Sequence, residues 1–78
     1  MDFFKKRIRQ YQEKKLDEIL SKIQFHQHMK KELEQKIEEM VNDEKTKPIK
    51  EIAYHSKMIY IWEKNEEKLK KQMREMED

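Results

Sequence analysis

The sequence predicts an all-α chain: an antiparallel hairpin of two long, coiled-coil-like helices that dimerises into a four-helix bundle. Three observations carry this. The 78 residues include no glycine and a single proline, which leaves almost no means of making the tight turns that join strands. Lys, Glu, Gln, Met, Leu and Ile dominate the composition, and most of these are good helix formers. The apolar residues recur at steps of three and four, the period of a helix with one buried stripe.

The first helix is expected over residues 2–42, with Asp2 as its cap. At about 100° per residue, Phe4, Ile8, Tyr11, Leu16, Ile23, His26, Met29, Leu33, Ile37, Met40 and Val41 all lie within roughly 80° of Ile19. From Leu16 the spacing is heptad-like, and His26 and Lys30 put polar groups into the seam. A helix of this length would span about 60 Å. The competing reading breaks it near Gln24–His28 to give three shorter helices. The stripe stays in phase across that stretch and no Gly or Pro is present there, so one long helix is the expectation.

The turn is expected at residues 43–47, where the pattern lapses before Pro48. Proline suits the first turn of a helix because its missing N–H has no partner to lose there. The second helix then runs over 48–76 with Ile52, His55, Ile59, Trp62, Glu66, Leu69, Met73 and Met76 in its seam. Folding the chain about residue 45 sets residue i opposite residue 90 minus i. Ile19 then meets Leu69, Leu16 meets Met73 and His26 meets Trp62.

One pair of helices is thin support for a chain this small. The second helix is also apolar around most of its circumference between Ile49 and Trp62, so neighbours are expected on more than one side. Phe25, Tyr54, Met58 and Ile61 lie off the seam and form the expected partner-binding patch. The partner is a second copy of the chain, a helical protein, or both.

Catalysis is not expected. The chain has no cysteine, which removes thiol chemistry and Cys-based zinc sites, and no nucleophile, base and orienting group come together along it. No glycine-rich phosphate loop exists, and no cofactor is expected. Nor is a metal site. His26 and His28 project from nearly opposite sides of one helix. In the 90-minus-i register, His26 and His55 are about 13 Å apart in level. Glu51–His55 and His28–Glu32 have the i, i+4 spacing of surface pairs.

The net charge of +2 is small, but the N-terminal stretch concentrates Lys5, Lys6, Arg7, Arg9, Lys14 and Lys15. This basic patch supports an alternative role in gripping nucleic acid, or a second alternative on an anionic membrane surface. No apolar run approaches the ~18 residues of a membrane span. The opening Met1-Asp2-Phe3-Phe4-Lys5-Lys6-Arg7 lacks the apolar core of a signal peptide, so a cytoplasmic home is expected. Lysines far outnumber arginines, as in proteins of AT-rich genomes, which points to a low-GC bacterium or its phage. The predicted function is therefore a small non-catalytic adaptor or regulator acting through helix packing.

Overall fold

A computed structural model describes residues 2–76. Helix α1 spans Asp2–Ile37 and helix α2 spans Thr46–Met76, joined by a connection that holds one turn of 3-10 helix, Asn42–Glu44. The two long helices pack against each other as an extended hairpin measuring 62 × 14 × 13 Å. No strand occurs among the described residues. α1 runs unbroken through Gln24–His28, as expected where nothing removes a backbone donor or relaxes the helical φ and ψ.

α1 ends at Ile37, five residues before the expected boundary. The backbone tightens there into i→i+3 bonds, Glu39 N–H to the Lys36 carbonyl and Met40 N–H to the Ile37 carbonyl, both 3.1 Å. These satisfy carbonyls that a helix end leaves without partners. Val41 is extended, at φ −74° and ψ 153°, which suits a β-branched residue. The 3-10 turn follows, and the first i→i−4 bond of α2 joins Ile49 N–H to the Lys45 carbonyl at 3.0 Å. Pro48 therefore sits in the first turn, where its ring costs no hydrogen bond. No described residue has positive φ, which is how a chain without glycine reverses direction.

The early exit from α1 changes the register in the middle of the hairpin. Residues 38–45 make the connection, so the fold centre lies several residues before residue 45. His26 consequently meets His55 rather than Trp62. Toward the open end the expected partners do gather: Ile19, Ile23 and Leu69 form the buried cluster, with Leu16, Trp62 and Met73 packed against it.

This core is small. Among the described residues Ile19, Ile23 and Leu69 are the buried hydrophobic ones, and Gln12, His26 and His55 are buried polar ones in the same seam. Gln12 donates through Nε2 to the Met76 sulfur at 3.4 Å, a weak bond that ties the two helices near the open end. Trp62 is half-buried, and its indole N–H is buried without an acceptor.

Candidate interaction face

The seam histidines define the centre of the candidate site. His26 projects from α1 and His55 from α2, and their Nδ1 atoms are 2.8 Å apart. One ring must donate through Nδ1–H while the other accepts, since two protonated Nδ1 atoms would repel. The His26 pKa lies below its ordinary value of 6.5, first because burial disfavours the charged ring, then because of His55 and the Lys22 ammonium. The expectation that these histidines sit about 13 Å apart in level is overturned by the shifted register. Likewise Glu51 has no part in the pairing of His55, which turns inward instead. His28 and Glu32 do pair on the surface, at 3.2 Å.

Two further rings cover the pair. Phe25 packs edge-on against His26 and His55, with centroids 5.1 and 6.4 Å away. Tyr54 does the same to His55 and His26, at 5.1 and 6.0 Å. Each roof residue immediately precedes a seam histidine. In an antiparallel pair, the residue about 100° before the seam emerges on the same side of the hairpin from both helices. Phe25 and Tyr54 therefore share one face. They contact the histidines, yet remain 55% and 54% exposed.

Met58 and Ile61 follow Tyr54 at i+4 and i+7, which continues the stripe along the same face of α2. Met58 is half-buried and Ile61 is 39% exposed. Beyond Ile61 the face carries a shallow groove lined by Lys15, Ile19, Trp62, Asn65, Lys68 and Leu69. All four residues of the expected partner-binding patch thus line one side of the hairpin. What the sequence reading missed is the histidine pair beneath them.

The basic residues are arranged differently. At about 100° per residue, Lys5, Lys6 and Arg9 point to one flank of α1, Arg7 and Lys14 to the other, and Lys15 toward the interaction face. Lys5, Lys6 and Arg9 line a groove with Gln12, Met73 and Met76 at the open end. Arg7 lies over the Phe3 ring at 5.6 Å, and Lys14 and Lys15 border a hollow with Tyr11 and Glu18. The six cations do not form one stripe.

No three His, Cys, Asp or Glu side chains gather as a metal cluster among the described residues. No described helix is long and apolar enough to cross a membrane. The chain matches no family model, no curated protein and no solved structure.

Proposed function

We propose that the chain is a non-catalytic helix-packing module whose partner is a second copy of itself, two hairpins joining through the Phe25, Tyr54, Met58 and Ile61 face. The observation that carries this reading is the imbalance between core and surface. Among the described residues three hydrophobic side chains are buried, whereas Phe25, Tyr54 and Ile61 remain exposed on one side of a rod. Apolar patches of this kind mark interaction sites. The whole side of the hairpin measures 62 × 14 Å, which leaves room for the roughly 800 Å² per partner of a standard protein interface. A twofold pairing buries the same patch on both copies and closes the assembly.

The test is sedimentation of the full chain at tens of micromolar. A mass of twice 9.9 kDa supports the reading, and a clean monomer overturns it. Ile61→Glu places a charge in the middle of the face, so it shifts the species to monomer, whereas a Lys5→Glu/Lys6→Glu double change leaves it dimeric. The nucleic-acid alternative predicts the reverse pattern, with retention on RNA or DNA that weakens steeply as salt rises. The dispersal of the six basic side chains around α1 gives that alternative less support.

A further inference from the structure

The first turns of α1 carry an apolar stripe that the hairpin leaves open. Phe4, Ile8 and Tyr11 have the i, i+4, i+7 spacing of one helix face, and at about 100° per residue they fall within roughly 60° of one another. They are 72%, 42% and 66% exposed. Phe3 is exposed as well, and its ring meets Phe4 edge-on with centroids 6.4 Å apart.

The charges around this stripe are ordered. Lys5 and Arg9 project on one side of it, Arg7 and Lys14 on the other, and Lys15 continues its line beyond Tyr11. Lys6 lies on the far side. The two carboxylates of residues 2–15, Asp2 and Glu13, project roughly 150° or more away from the stripe. Glu18 bounds the surface at its inner end, beside Tyr11, Lys14 and Lys15. Cations that form no single stripe of their own therefore frame an apolar one. We propose that this end of the hairpin docks on an anionic lipid surface, with Phe4, Ile8 and Tyr11 entering the headgroup layer and the flanking cations meeting lipid phosphates and carboxylates.

The arrangement suits lipid better than other occupants. A nucleic-acid backbone is gripped by cations at the centre of the contact, whereas the centre here is Phe, Ile and Tyr. Two copies pairing twofold through the stripe would set its cationic borders against each other, which like charge opposes. A lipid surface accepts both parts. Apolar side chains enter the acyl boundary, aromatic rings favour the headgroup level, and Lys and Arg lay their stems along apolar surface with the charge in water. No described helix is long and apolar enough to cross a membrane, so the contact lies in the interface and does not span it. The stripe is about 21 Å along α1 from Phe25, and the inference does not rest on dimerisation.

The experiment is co-sedimentation of the full chain with vesicles of phosphatidylcholine alone and of phosphatidylcholine mixed with phosphatidylserine, with the oligomeric state measured separately. The expected result is pelleting with the mixed vesicles only, weakening as salt rises. Phe4→Ser should weaken binding by more than about tenfold, the loss of one buried aromatic side chain. Phe4 is largely exposed in the hairpin, so the variant keeps its fold, as circular dichroism checks. Arg7→Glu should weaken binding more than Lys6→Glu, which changes the net charge equally but points away from the stripe. No pelleting, equal pelleting with both vesicles, unchanged binding in Phe4→Ser, or equal losses in the two charge variants would each overturn the proposal. A chain that fails to pellet while Phe4→Ser turns a dimer into a monomer would assign the stripe to a second copy. One that fails to pellet yet is retained on RNA would assign this end to nucleic acid.

Discussion

His26 Nδ1 lies 2.8 Å from His55 Nδ1, across a seam in which both residues are buried. The contact joins the helices where the apolar cluster of Ile19, Ile23 and Leu69 has given out toward the turn. A shared proton here does the work of a hydrophobic pair, and it makes the hairpin sensitive to acid.

Stability should therefore depend on pH. The folded state binds a proton on His26 less readily than the unfolded chain, whose value is 6.5. Below that pH the unfolded chain takes up more protons, so this contribution is fully present above 6.5 and is lost as pH falls toward the lower folded value. Urea midpoints should be level between pH 8 and 7 and drop from pH 6.5 downward. His26→Gln should flatten that slope. An unchanged slope in the variant would assign the acid sensitivity to other groups.

Ile19 and Leu20 are adjacent and chemically close, but only Ile19 is in the core, at 3% exposure against 36%. Ile19→Ala should cost about 2–5 kcal/mol, the usual range for a buried branched aliphatic residue. Leu20→Ala should cost less than about 1 kcal/mol if its side chain remains in solvent. Equal losses, read from chemical denaturation, would mean that the flank carrying Leu20 is covered in solution.

Trp62 packs against the cluster while its indole N–H has no acceptor. Removing that donor relieves a desolvation cost of about 1–3 kcal/mol, which offsets the smaller ring's lost contacts. Trp62→Phe should thus shift stability by no more than about 1 kcal/mol, whereas Trp62→Ala should cost about 3–5 kcal/mol. Thermal melts of the two variants separate the hydrogen-bonding effect from the packing effect.

Phe25→Ala should open the roof over the histidines with little harm to the folded hairpin, because Phe25 is more than half exposed. In the proposed dimer the same change removes contact area at the centre of the face. Helicity at neutral pH should be nearly unaffected while the dimer weakens by about tenfold or more, equivalent to about 1.4 kcal/mol. Dilution of the variant followed by sedimentation measures this directly.

Much of the hairpin was legible in the sequence for physical reasons. The steps of three and four fixed which side of each helix faces inward, and Ile19, Ile23 and Leu69 are all seam positions. Pro48 marked the start of the second helix to within two residues. The end of the first was harder to see. Met40 and Val41 continue the apolar phase, and periodicity does not distinguish a helix that goes on from a connection that returns the same residues to the seam. With no glycine to punctuate the exit, the apolar phase carries the expected boundary past the true one, and the expected register shifts with it. The off-seam positions of Phe25, Tyr54, Met58 and Ile61 survive that error, since each depends on the angle within its own helix. The meeting of His26 with His55 depends on the offset between helices, which periodicity within one helix does not encode. An earlier turn centre, at the Asn42-Asp43-Glu44 cluster, would have brought them closer.

The direction reversal between Ile37 and Thr46 has a kinetic consequence. Pairs beside it close short loops, while the one joining Gln12 to Met76 closes nearly the whole chain. The entropic cost of closure grows with that separation, though slowly. A molecule built as one line of contacts therefore zips outward from the bend and unzips inward from the far end. Its two extremities age differently under mild denaturant, and amide exchange should read the hairpin as a gradient, fastest where Phe3 and Met76 lie and slower toward the bend.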